Sequence, residues 1–128
     1  MVKEYLSDQV VEYVLSCSEE VLRSLTVSSL ARRFYVDRSH LAREFKSRKN
    51  LTLFQFLQGE KMARAALLLR DSNDITVEKL SEELGFSSAE YFREVFKKHF
   101  AITPTKYRRF KNGYLRNQCL TAEVSVST

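Results

Sequence analysis

Residues 52–70 read TLFQFLQGEKMARAALLLR, and this stretch decides how the chain is built. Phe54, Leu57, Ala65 and Leu68 fall on one helical stripe, while Leu53, Met62, Ala66 and Leu69 widen it past a single surface face. A helix that is apolar on more than one side needs protein on more than one side. At about 1.5 Å per residue it forms a rod roughly 28 Å long. Gly59 is its odd residue, about 1 kcal/mol worse than Ala in a helix interior, and suits a close approach or a slight bend.

The two flanks of this helix resemble each other. Thr26, Val27 and Leu30 match Thr76, Val77 and Leu80 at an offset of 50. Leu41, Phe45 and Lys46 match Phe92, Phe96 and Lys97 at 51, as Thr52 and Phe56 match Thr103 and Tyr107. Helices are predicted over residues 6–17 with Ser7 as cap, 27–34 after Thr26, 37–49 opening at Asp37, and 52–70 after Thr52. They continue over 77–84 after Thr76, 87–99 with Ser87 as cap, and 104–111, where Pro104 follows Thr103. Residues 18–25 read equally as a loop or a helical turn. Two copies of a unit of about 50 residues are too few for a solenoid and make a tandem pair.

Each copy is a short helix, a tight turn and a second helix with an apolar inner row, which describes a helix-turn-helix. Such a unit needs a small residue where its helices cross, and Ala31 and Ser81 occupy matching positions. Its turn needs a residue tolerant of positive φ. Gly85 supplies one in the second copy, but Tyr35 stands there in the first, so that turn is either built differently or strained. Leu41, Phe45, Phe92 and Phe96 are read as lobe cores rather than as platforms for bases, and Tyr91 reads either way.

Composition sets the outer bounds. The 128 residues include nine Phe, six Tyr, three Gly and one Pro, which favours helices on short loops over a turn-rich β fold. No apolar run approaches the roughly 18 residues of a membrane span, and no signal peptide opens the chain, so a cytoplasmic protein without membrane contact is expected. Cys17 and Cys119 read as free thiols, and His40 and His99 lack ligand spacing. No paired carboxylates, Cys/His arrangement or Gly-rich phosphate loop points to catalysis, a metal or a cofactor, so the expectation is no enzyme. The net charge of +5 is distributed as −3, +7, −4 and +5 over residues 1–30, 31–70, 71–85 and 86–128. Basic blocks of this kind favour a polyanion, nucleic acid ahead of membrane.

The run GFSSAEYFREVFKKHFAITPTKYR, residues 85–108, resembles the signature of the AraC/XylS family of bacterial transcription regulators, as do Lys61, Ala65, Leu68 and Leu69 in the middle helix. The resemblance covers about residues 5–111. It implies an all-α fold of about seven helices, in two helix-turn-helix (homeodomain-like) lobes joined by a long central helix. The expected boundaries are 1–51 for the first lobe, 52–70 for the connecting helix, 71–111 for the second lobe and 112–128 for a flexible tail. It also implies two recognition helices in adjacent major grooves of double-stranded DNA, regulating and by family habit activating transcription, with RNA polymerase as a further partner. Many family members carry an N-terminal sensor domain, so the chain is either a standalone regulator or the DNA-binding half of a longer protein.

The base-facing positions implied are Ser39, Ala42 and Arg43 in lobe one, and Ala89, Glu90, Arg93 and Glu94 in lobe two. Arg43 and Arg93 suit guanine, because a guanidinium bonds O6 and N7 together. Arg38, Lys46, Lys97, Lys98 and Lys106 suit phosphates, as do the helix N-termini capped by Thr52 and Thr103. The departures are Tyr35, Asn50 and Ala101 where the family favours Gly, Lys61 for Arg, and Glu94 where Arg is frequent. Short or acidic outer residues such as Ala42, Ala89, Glu90 and Glu94 support an alternative, a module of this fold that binds polymerase or another regulator instead of DNA. An architectural, nonspecific DNA binder is disfavoured because it would need exposed apolar wedges.

Overall fold

The computed structural model describes residues 5–72 and 74–109, and every regular element among them is a helix. In order these are α1 (Leu6–Ser16), α2 (Glu19–Ser24), α3 (Val27–Arg33), α4 (Arg38–Lys49), α5 (Leu53–Asp71), α6 (Val77–Glu83), α7 (Ala89–Phe100) and α8 (Pro104–Arg109). The helix beyond the seven expected is α2: the Ser18 hydroxyl accepts from the Val21 N–H and turns the ambiguous stretch into a helix that buries Leu22. None of the helices among the described residues is long and apolar enough to cross a membrane. The tail from 112 onward, Lys111 and Cys119 lie outside the described residues.

The chain divides into two compact units between Lys61 and Met62, inside α5 rather than at either of its ends. The first core is made by Val10 and Val14 of α1, Leu22 and Leu25, Leu30 and Ala31 of α3, Leu41 and Phe45 of α4, and Leu53 and Leu57 of α5. Ser7 does not cap α1. Tyr5 is the N-cap and makes no side-chain cap bond, while Ser7 lies within the helix, fully buried, its hydroxyl without a partner among the described residues. The end of α4 is tied back to α1, where Lys49 Nζ donates to Asp8 Oδ1 at 2.7 Å and the Arg48 guanidinium stacks 3.5 Å from the Tyr5 ring centre.

The second core takes the later part of α5 where the first takes α1, and it is rich in rings. Phe92, Phe96 and Phe100 recur every fourth residue along α7, so they share one face. Phe96 packs against Phe100 at 4.7 Å and Tyr107 at 5.7 Å, and Phe86 against Phe92 at 5.2 Å. Met62, Ala65, Ala66 and Leu69 of α5 and Leu80 and Leu84 of α6 complete it. The wide apolar surface of α5 is thus divided along its length, Leu53 and Leu57 in one core and the residues from Met62 onward in the other. Two expectations for this helix need correction: Phe54 is exposed rather than inward, and Leu68 is only half-buried. Leu53 and Leu57, one turn apart, take the inner face and leave Phe54 beside it.

Candidate nucleic-acid interface

Both lobes fold their turn by the same hydrogen bonds. After α3, the Val36 N–H donates to the Ala31 carbonyl and the Tyr35 N–H to that of Arg32; after α6, Phe86 donates to Ser81 and Gly85 to Glu82. These are Schellman closures, and they require a left-handed residue just past the helix. Gly85 takes φ 84 and Tyr35 takes φ 58, so the first lobe builds the same turn on a non-glycine residue. Asn50 and Ala101 likewise adopt φ 64 and 65 at the ends of α4 and α7. At each of the three positions where the sequence lacks the family's glycine, the left-handed backbone is kept.

That turn launches the second helix of each lobe. The Asp37 carboxylate accepts from the Ser39 and His40 N–H groups at the start of α4. The matching cap of α7 is Ser88, which accepts from the Tyr91 N–H at 3.0 Å; Ser87, the expected cap, lies one residue earlier. Leu41 and Phe45, and then Phe92 and Phe96, are completely buried, which fixes the rotation of both helices and turns the intervening residues outward. Arg38, Ser39, Ala42, Arg43 and Lys46 are all exposed on α4, and Glu90, Glu94, Lys97 and Lys98 on α7, with Ala89 and Arg93 half-buried. Tyr91 is 39% exposed and its ring lies 5.8 Å from that of Phe86.

The outer faces differ in electrostatics. The Arg43 side chain has no hydrogen-bond or ion-pair partner among the described residues. Arg93 is held: its Nη2 donates to Glu78 Oε2 at 2.6 Å, from the neighbouring helix α6. The Glu78 backbone N–H, followed by the Arg93 guanidinium, holds that carboxyl below the usual glutamate value. With Arg93 neutralised and Glu90 and Glu94 exposed beside it, the first turns of α7 are acidic, whereas the exposed charges of α4 from Arg38 to Lys46 are basic. Glu78 was missed in the sequence, although the repeat carried a signal: the corresponding pair in lobe one is Ser28 and Ala42, and both members become charged together in lobe two.

The connecting and last helices begin on threonine caps. The Gln55 N–H donates to Thr52 Oγ1 and the Thr52 N–H to Gln55 Oε1, both at 3.0 Å, a reciprocal capping box. The Lys106 N–H donates to Thr103 Oγ1 at 3.2 Å, and Lys106 is exposed. Other basic residues contact groups of the chain itself. Arg33 stacks over Tyr13, Lys49 binds Asp8, and Arg108 donates to the Ser72 carbonyl, so part of the basic blocks serves the fold.

A family model described as a helix-turn-helix domain matches residues 30–109. The "Probable transcription factor PqrA" of Proteus vulgaris is 31% identical over 111 residues, covering 84% of this chain and 88% of that protein. The chain belongs to the AraC-type helix-turn-helix family of transcription regulators. Within this family, the xylose operon regulatory protein of Haemophilus influenzae is 41% identical over 71 residues, 56% of this chain and 18% of that protein. Of the first curated relatives it matches, the chain spans 18% to 33% of the length. The DNA-binding domain of AdpA, a global transcriptional factor whose structure was solved in complex with a target DNA, is 26% identical. It covers 86% of this chain and 100% of its own, with a TM-score of 0.69.

Proposed function

We propose that this AraC-type chain binds double-stranded DNA sequence-specifically, with α4 and α7 in two successive major grooves. The observation that carries this reading is the pair of second helices whose inner rows are fully buried while the intervening residues face outward. The DNA-bound AdpA domain supports it. Ser39, Ala42 and Arg43 read bases from lobe one, and Ala89, Glu90, Arg93 and Glu94 from lobe two. Arg43 reads guanine, and the exposed glutamates accept from cytosine N4. Arg38, Lys46, Lys97, Lys98 and Lys106 hold phosphates, together with the helix starts at Thr52 and Thr103. Because the first turns of α7 are acidic while Lys97, Lys98 and Lys106 lie beyond them, lobe two reads bases with the start of α7 and holds phosphates with the end of α7 and with α8, whereas α4 is basic throughout its exposed face. Activation through RNA polymerase, and control by a sensor domain preceding the lobes, complete the reading.

Selection of sites from a random duplex library, followed by electrophoretic shifts, tests it. One preferred site is expected, and equal affinity for every duplex refutes it. Arg93→Ala should relax preference at one base pair, whereas Lys97→Ala should weaken all duplexes alike and lower the salt slope by about one unit. A reversal of the two effects refutes the assignment of contacts. The exposed Glu90 and Glu94 keep a second reading in view, a protein-binding module. Salt-insensitive partner binding without DNA affinity would select that one.

A further inference from the structure

Glu78 lies on α6, the bracing helix of lobe two, outside the residues that face a groove in the reading above. Its carboxylate meets Arg93 across a gap of fifteen residues in sequence, with the two side chains 66% and 41% exposed. An ion pair so open to water contributes little to stability, so the fold by itself gives it small purpose. An arginine carries five N–H donors in a rigid fork. One of them is committed to Glu78 through Nη2, and the others stay available. The carboxylate also cancels the charge that would draw the guanidinium to phosphate, while leaving the donors that a base edge requires. Lobe one has Ser28 and Ala42 at the corresponding positions, so the device belongs to lobe two alone.

We propose that Glu78 is a positioning residue for base readout: it aims the Arg93 guanidinium at a base edge and withholds it from the phosphate backbone. This rests on Arg93 reading a base, as proposed above. A side chain fixed by a neighbour before binding gives sharper discrimination than one free to find several partners. Glu78 itself faces solvent, so its replacement leaves the core of Leu80, Leu84, Phe92 and Phe96 intact.

The test uses the whole 128-residue chain on its selected site, with the four base pairs exchanged at the position where Arg93→Ala loses preference. Glu78→Ala should lower discrimination there by about 3- to 10-fold, less than the roughly 5- to 150-fold of a whole bidentate contact, because Arg93 itself remains. Glu78→Gln, which keeps an acceptor but no charge, should fall between wild type and Ala. Both variants should bind an unrelated duplex more tightly, because a negative charge near phosphate is gone. In an Arg93→Ala background, Glu78→Ala should no longer change discrimination at that position. Full discrimination in Glu78→Ala, with Arg93→Ala still losing it, overturns the positioning role and leaves the readout standing. The same factor on every duplex also overturns it, reducing Glu78 to a repelling charge. If Arg93→Ala leaves every base preference intact, the readout fails and the positioning role fails with it.

Discussion

The first lobe pays for its turn with a tyrosine held at φ 58, and replacing it should stabilise the protein. The Tyr35 side chain is 94% exposed, so Tyr35→Gly removes almost no buried surface. A left-handed conformation costs a non-glycine residue about 1–2 kcal/mol, and glycine is spared that cost. Against this, glycine adds unfolded-state freedom that takes back about 0.4–1 kcal/mol. The net gain should be about 0.8 kcal/mol. The second lobe provides the control, since Gly85 closes the matching turn at φ 84 with the matching hydrogen bonds. Gly85→Ala meets the same two effects with opposite sign and should cost about 0.8 kcal/mol. Urea denaturation followed by far-ultraviolet circular dichroism measures both, with the slope m expected to stay constant. Loss of stability in Tyr35→Gly would refute the reasoning and show that the exposed ring contributes more than the strain. An unchanged Gly85→Ala would refute the requirement for a left-handed residue.

Ser7→Ala should raise stability by about 1 kcal/mol or slightly more, because it removes a buried hydroxyl that has no partner among the described residues and improves helix propensity. A destabilised Ser7→Ala in the same urea titration would mean that the hydroxyl is satisfied. The Asp8 carboxyl is held below its ordinary value by the hydrogen bond from Lys49, so this pair stabilises the fold above about pH 4, the unfolded aspartate value, and loses that contribution as pH falls through the lower folded value. The stability gap between wild type and Asp8→Asn should therefore be full at neutral pH, shrink in acid and diminish with salt; a gap independent of pH would refute it. Phe96→Ala should cost about 3–5 kcal/mol, since the ring is fully buried among Phe92, Phe100 and Tyr107, and the helical circular dichroism signal should melt earlier; a cost under about 1 kcal/mol would contradict the packing.

Most of the fold was written locally. The threonine caps, the inner rows Leu41–Phe45 and Phe92–Phe96, and the small residues Ala31 and Ser81 each follow from spacing and side-chain chemistry between near neighbours, and each stands where the repeat put it. Local patterns failed where two solutions were nearly equal in energy. Ser7 has the chemistry of a cap but lies in the buried row of α1, and Ser87 and Ser88 offered the same hydroxyl one residue apart. Phe54 had the hydrophobicity of a core residue, and only the docking of Leu53 and Leu57 left it facing solvent.

The sequence by itself determined the helix order, the duplicated turn and the family, because these depend on the order of residues along the chain. It also determined the outward faces of α4 and α7, since a buried row at helical spacing leaves the remainder exposed, but not that of α5. Tertiary structure decided which charges are free. Lys49 is bound to Asp8 of α1, Arg48 pairs with Glu44 and lies over the Tyr5 ring, Arg93 is held by Glu78, and Arg43 has no hydrogen-bond or ion-pair partner among the described residues. A charge count treats all four alike. Lys49 and Arg93 are set apart by residues 41 and 15 places away in sequence, and the energy of an ion pair depends on distance in space.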